Sequence, residues 1–253
     1  KRSLEASGLF RYVELDYVGE PFSRVTDSAF VDGTLWGLEN HGQDNGTADA
    51  DIDAEQAWDV TSGTPETVVA VFDSGVRVTH NDLINQIWTN EDEIPNNGVD
   101  DDMDGYIDNY KGVDFYGNDG DPNDIHGHGT HCSGTIAASA NDEHPHAGVA
   151  FNARILPCKV GDSGPHDSAV IAAIEFCVAE GVKIANCSYG GRFASQAAYD
   201  AYAAGGAEGM IFLVAAGNDG SDNDSLPAYP CSYDLECIIS VAATDRNDDI
   251  TSF

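Results

Sequence analysis

Three side chains stand out as able to do chemistry together: Asp73, His128 and Asn218. His128 lies in the run Asp124-Ile-His-Gly-His-Gly-Thr-His-Cys-Ser-Gly-Thr-Ile-Ala-Ala138, where a Gly-rich turn gives way to a helical pattern. That places the imidazole at a helix N-terminus, where the helix dipole disfavours its charged form. A neutral imidazole on a rigid element is a general base. Gly129, Ser133, Gly134, Ala137 and Ala138 are all small, so this helix can lie close to a sheet. Gly in a helix costs about 1 kcal/mol against Ala, so two glycines imply a packing reason. Zinc is the competing use for His126, His128, His131 and His144. However, no HExxH pattern occurs, and carboxylates rather than cysteines surround these residues.

The elements that must position these groups are legible as a βα alternation. Residues 67–72 form a continuous β-branched apolar run, the signature of a strand buried on both faces of a parallel sheet. Asp73 follows at once, at the carboxyl end, where α/β sheets place their ligands; an Asx-turn or helix cap is the structural alternative. Beyond His128 the pattern predicts a strand at 153–160, a helix at 168–180 and a strand at 182–188. A helix at 195–208 and strands at 210–215 and 238–242 follow. The expected fold is α/β: a three-layer, doubly wound, mostly parallel sheet with helices on both faces. Residues 4–18 read as a helix end and an alternating strand. Residues 27–58 read as irregular chain ending in a helix over 53–58, with Trp36 as the aromatic that anchors it. Residues 90–123 read as an acidic loop.

Composition bounds the partners. The 253 residues carry 44 acidic and 11 basic side chains, a formal charge of −33. That excludes nucleic acid and anionic membrane surfaces. It leaves cation coordination or a surface solvated in salty water. No run of about 20 apolar residues appears, and no signal peptide opens the chain. The six cysteines form no CxxC pair. Cys231 and Cys237 flank a short loop and are placed to pair in an oxidising compartment, whereas Cys132 and Cys177 read as buried thiols. Asn45, Asn186 and Asn223 head glycosylation sequons.

The carboxylate spacing suggests a hard cation. Asp100, Asp102, Asp104 and Asp108 alternate around Gly105, as in a loop that wraps calcium, although Lys111 stands where an EF-hand has its bidentate Glu. Asp114, Asp119 and Asp121, with Asn123 as a further candidate, form a second cluster just before His128.

Together, Val-Ala-Val-Phe-Asp73-Ser-Gly, His126-Gly-His128-Gly-Thr-His-Cys-Ser-Gly-Thr, Ala185-Asn-Cys-Ser-Tyr-Gly-Gly191 and Val-Ala-Ala-Gly-Asn218-Asp resemble the subtilisin-like serine peptidases, especially the thermitase-like branch. The resemblance runs from about residue 27 to residue 253. It implies a serine endopeptidase with an Asp-His-Ser triad. In that scheme Asp73 orients the histidine, His128 is the base, and Asn218 donates to the oxyanion. Ser188, Tyr189, Gly190, Ala215 and Gly217 match the segments that bind substrate backbone. Asp219 would add an acid to the first specificity pocket, which would then tolerate basic or large side chains. The resemblance also implies calcium at the second cluster, with Gly117 where the branch has another carboxylate, and a third calcium site from Asp27, Asp82 and Asn141. Residues 1–20 match the tail of an inhibitory propeptide, and residues 21–253 a catalytic domain incomplete at its C-terminus. The serine, expected in a Gly-Thr-Ser turn, is absent; Ser74, Ser133 and Ser252 lack that context. The implied protein is a secreted monomer that acts on polypeptides and is inhibited by its own propeptide. A catalytically inert, calcium-binding relative is the rival reading.

Overall fold

The computed structural model describes residues 25–253, so the expected strand at 4–18 and the propeptide segment lie outside the described residues. Six strands form one sheet: β1 (Val68–Asp73), β2 (Val113–Asp114), β3 (Arg154–Lys159), β4 (Ile184–Cys187), β5 (Ile211–Ala215) and β6 (Ile238–Val241). Their order is β2-β3-β1-β4-β5-β6, and every pairing is parallel. The helices are α1 (Ser28–Val31), α2 (Ala54–Trp58), α3 (His128–Ala137), α4 (Asp167–Ala179) and α5 (Gln196–Ala207).

β1 shows why the sheet needs two cores. Val69 and Val71 turn to one face, where they pack with Val76, Leu83, Ile87, Ile155 and Ala137 of α3. Ala70 and Phe72 turn to the other, into a larger core with Ala173, Ile174 and Cys177 of α4 and Tyr202 of α5. A strand buried on both faces must be apolar at every position, which is why β1 reads as an unbroken run. β1 lies between β3 and β4, so the chain runs first to one side of it and then to the other. The carboxyl end of β1 is therefore the point where sheets of this kind open a crevice.

A third, smaller core ties the N-terminal arm down. Trp58 sits between Phe30 and Phe151, with ring centroids 5.5 and 5.4 Å away, and its indole N–H donates to the Val149 carbonyl at 2.8 Å. Trp58, not Trp36, is thus the anchoring aromatic; Trp36 instead lies under the Arg246 guanidinium, 5.7 Å from the ring centre. Two elements had no sequence signal long enough to read: α1 has four residues and β2 two.

Candidate active site

Asp73 and His128 meet. The Asp73 carboxylate at the end of β1 lies 2.7 Å from His128 Nδ1, with Asp73 buried and His128 half exposed. An ionised carboxylate is acceptor-only, so the shared proton sits on Nδ1 and the lone pair on Nε2. Among the described residues Nε2 has no hydrogen-bond partner, and it belongs to a cleft lined by Ser74, Asp162, Pro165, Ser188 and Tyr189. The same Asp73 oxygen accepts the Ser74 N–H at 2.7 Å, which fixes the carboxylate rotamer.

The turn that delivers His128 is organised by Asp124, which the sequence reading passed over. One Asp124 oxygen accepts the N–H groups of His126 (2.9 Å) and Gly127 (2.8 Å) and the Ser74 hydroxyl (3.0 Å). The other accepts the Thr130 N–H (3.0 Å) and hydroxyl (2.7 Å). Asp124 therefore satisfies donors at the start of α3 that the helix itself cannot. Burial pushes its pKa up, but the hydrogen bonds from Thr130, Gly127 and Ser74 outweigh that and hold it below the ordinary aspartate value. The signal was present: an Asp six residues before Thr130, just ahead of a Gly-rich turn into a helix.

Gly129 explains one of the two helical glycines. A Cβ there would stand 2.1 Å from the Gly75 carbonyl oxygen and 2.8 Å from the Asp73 Cβ. The helix can thus bring His128 onto Asp73 only if residue 129 has no side chain. Gly134 would meet nothing within 4 Å, so packing does not account for it.

Cys132 is half buried, not the core thiol expected, and its Sγ lies 3.9 Å from His128 Nδ1. It approaches the nitrogen already held by Asp73. Burial, with the Asp73 charge adding to it, raises its pKa and keeps it a thiol. It is neither placed nor ionised to act as a nucleophile. Cys177 is buried as expected, and Cys231 and Cys237 are free, with Cys231 Sγ donating to the Ala228 carbonyl at 3.1 Å.

Asn218 follows β5 and is exposed, with no hydrogen bond among the described residues. Because all strands are parallel, it lies at the same edge of the sheet as Asp73. The register sets Asp73 and Ala215 level, two strands apart, or about 10 Å. Ser188 and Tyr189 line the His128 cleft, whereas Gly190 opens onto a neighbouring depression walled by Tyr202, Tyr229 and Tyr233. Gly191 is bridged to Tyr229 through two backbone hydrogen bonds of 2.8 and 2.7 Å. Gly217 borders a third depression with Asp219 and Arg192. There Asp219 is ion-paired with Arg192, whose guanidinium also donates to the Leu226 carbonyl at 2.7 Å. The acid already has its cation, so the ground for expecting a basic side chain in that pocket falls away.

The acidic residues divide in three. Asp100 and Asp102 converge with Glu93, each offering an oxygen within 4.8 Å of the others. Glu93 was not foreseen. It is 3% exposed; one oxygen accepts the Asp101 N–H at 2.7 Å and the other is buried without a partner. It supplies the carboxylate missing at Lys111, from upstream rather than downstream. Asp104 instead caps the turn through the Tyr106 N–H and Asn109 amide, and Asp108 accepts the Asn97 and Gly98 N–H groups. In the second cluster, Asp114 is met by the buried Lys159 ammonium at 3.2 Å, which also pairs with Asp162 at 2.9 Å. Asp119 and Asp121 accept the N–H groups of Asp121 and Asn123. In the third set, both Asp27 oxygens accept the Asn141 N–H, and Asn141 Oδ1 accepts the Thr26 N–H and hydroxyl. These two residues close on each other, and the donors that converge on Asp82 are Asp142 and His144.

Residues 64–253 match the family described as the subtilase family. The chain is 32% identical over 204 residues to thermitase from Thermoactinomyces vulgaris, covering 80% of this chain and 63% of thermitase. It is 31% identical over 254 residues to a thermophilic serine proteinase from Bacillus sp. (strain AK1), covering 100% of this chain and 54% of that protein. Among solved structures, the S41 psychrophilic protease matches with a TM-score of 0.54 and 27% identity, over 73% of this chain and 54% of that one. The chain thus spans between half and two thirds of the length of these relatives. With the parallel sheet, the Asp73–His128 pair at its switch point and the match over 64–253, this chain belongs to the subtilase family.

Proposed function

We propose that this chain carries the Asp-His part of a serine endopeptidase, with the nucleophilic serine outside the 253 residues. The observation that carries the reading is the 2.7 Å contact from Asp73 to His128 Nδ1, which leaves Nε2 facing the cleft. His128 would take the proton of the serine hydroxyl at Nε2 and return it to the leaving amine, while Asp73 stabilises the imidazolium. Asn218 would donate to the oxyanion. Ser74 and Ser133 are otherwise engaged: Ser74 bonds Asp124 and the Gly129 N–H, and Ser133 donates to the Gly129 carbonyl at 2.8 Å. The substrates are polypeptides, bound along residues 188–190 and 215–217. Secretion as a monomer, with residues 1–20 as the tail of an inhibitory propeptide, is part of the same proposal.

Calcium is proposed at the loop bounded by Glu93 and Asp108. Glu93, Asp100 and Asp102 form an all-oxygen set, and the buried unpartnered oxygen of Glu93 is a group whose burial a hard cation would compensate. The Asp114 loop carries an internal ammonium, so calcium there would compete with Lys159. Fluorophosphonate labelling of the encoded protein, including any residues beyond Phe253, tests the peptidase reading. Labelling that disappears in His128→Ala supports it. No labelling of the folded, calcium-replete protein would favour an inert relative.

A further inference from the structure

We propose that Arg192 sets the charge preference of the depression beside Asn218: paired with Asp219, it makes this pocket take an uncharged substrate side chain, and loss of its charge makes the pocket take a basic one. The proposal rests on the peptidase reading, in which Asn218 donates to the oxyanion.

That role fixes where a side chain must go. The oxygen held by Asn218 belongs to the carbonyl under attack, and the Cα of the same substrate residue lies only about 2.4 Å from that oxygen. Its side chain therefore projects beside the neighbours of Asn218. There Gly217, Asp219 and Gly220 line a depression of about 280 Å³ together with Arg192 and Asp222.

Two acids and one base face this space. Asp222 is committed to its own turn, where its oxygens accept the Asp224 N–H at 3.0 Å and the Ser225 hydroxyl at 3.1 Å. Asp219 is left as the acid that could meet a basic side chain, and Arg192 Nη2 occupies it. The guanidinium is held from its other side: Nη1 donates to the Leu226 and Pro227 carbonyls at 2.7 and 3.3 Å. A planar cation with its donors in a fixed fork serves both partners at once. Arg192 is thus seated on main-chain acceptors that a substrate side chain does not replace. The Asp219 side chain is 65% exposed and can be reached from the depression. A lysine or arginine entering there has to displace Arg192 or share its carboxylate, and two cations on one carboxylate repel each other. An uncharged side chain meets no such cost.

Cleavage of a peptide series that differs only in the residue before the scissile bond, Leu, Lys or Glu, tests this in the encoded protein with its serine. Low ionic strength is used, because salt screens partly exposed charges. In the parent, kcat/KM should be highest for Leu. Arg192→Gln keeps an amide donor for the Leu226 and Pro227 carbonyls but removes the charge, and should raise the Lys-to-Leu ratio of kcat/KM about tenfold. Asp219→Asn leaves the guanidinium without a carboxylate and should raise the Glu-to-Leu ratio instead. Combining the two changes should bring both ratios back to those of the parent. A loosened fold would slow all three substrates together and move neither ratio. Fluorophosphonate labelling is read on every variant. Labelled variants whose ratios match the parent's, or a labelled parent that already prefers Lys, overturn the proposal and leave the peptidase reading standing. A parent that is not labelled overturns the peptidase reading itself.

Discussion

The two halves of the sheet are built by the same rule and finished differently. On the face that carries α3, the first half is closed: Val69 and Val71 of β1 and Ile155 of β3 lie beneath the helix, 9% exposed or less. On the same face, the second half is open. Ile211 and Leu213 of β5 and Ile239 and Val241 of β6 point there and are 36–49% exposed, although Phe212 and Val214 on the opposite face are fully buried. Leu213 and Ile239 are register partners, so the exposed side chains form one patch rather than scattered positions. The closed half holds Asp73 and His128 in one arrangement; the open half presents Asn218 on an exposed loop. Preorganisation in this molecule follows two-sided burial.

The largest test of that contrast is catalytic. In the protein with its serine, Asp73→Asn should lower kcat/KM about 10⁴-fold, because the wrong histidine tautomer is then favoured. Asn218→Ala should lower it about 10²–10³-fold, through loss of one oxyanion donor. Equal losses from the two would remove the functional difference between the halves. The next test is stability. Ile155→Ala, beneath α3, should cost about 2–5 kcal/mol in urea unfolding. Ile239→Ala, on the open half, should cost about 0.5 kcal/mol or less. A large loss at Ile239 would mean that its face is covered in the protein under test.

Asp124 gives a smaller effect with a pH signature. Asp124→Asn weakens several hydrogen bonds to a charged acceptor and should cost about 2 kcal/mol near neutral pH. Since the folded state lowers this pKa, its contribution is present above the unfolded value of about 3.9 and is lost as pH falls through the folded one. The variant should therefore lose less stability than the parent between pH 4 and the folded pKa. Asp82 and Asp104, whose pKa values are raised first by burial, carry the opposite sign and gain as pH falls. A stability difference between parent and variant that stays constant through the acid range would show that Asp124 acts as a spacer and not as a charged cap.

The closed half was also the legible half. The unbroken run at 68–72 and the small residues of α3 report two-sided burial directly, and the order of strands and helices followed from periodicity. Less of the site was readable where contacts join distant residues of ordinary type. Glu93 looks like one more acid in an acidic loop, and only the fold buries it against Asp100 and Asp102. Lys159 sits at the end of an apolar strand, and nothing local says that it meets Asp114. Arg192 neutralises Asp219 across 27 residues. In the set Asp27, Asp82 and Asn141, Asp27 accepts the Asn141 N–H, while the side chains nearest Asp82 are Asp142 and His144, which nothing in the local sequence announces.

The smallest effect belongs to the open face itself. A contiguous patch with Ile211, Leu213, Ile239 and Val241 at its centre should bind a hydrophobic dye such as ANS in the native state, which scattered apolar residues do not. Replacing Leu213 and Ile239 together with Thr keeps β-propensity and removes apolar surface. In the 253-residue chain this should reduce dye fluorescence severalfold while shifting the urea midpoint hardly at all, because neither side chain has a core to leave. The same pair of changes in a longer form of the protein discriminates further. If added residues cover the face, the dye will not bind the parent, and the double substitution will cost stability in proportion to the apolar area then buried, at about 25 cal/mol per Å². Dye binding that persists in both forms would mean that the face stays open, and that the contrast between the halves is a property of the finished protein.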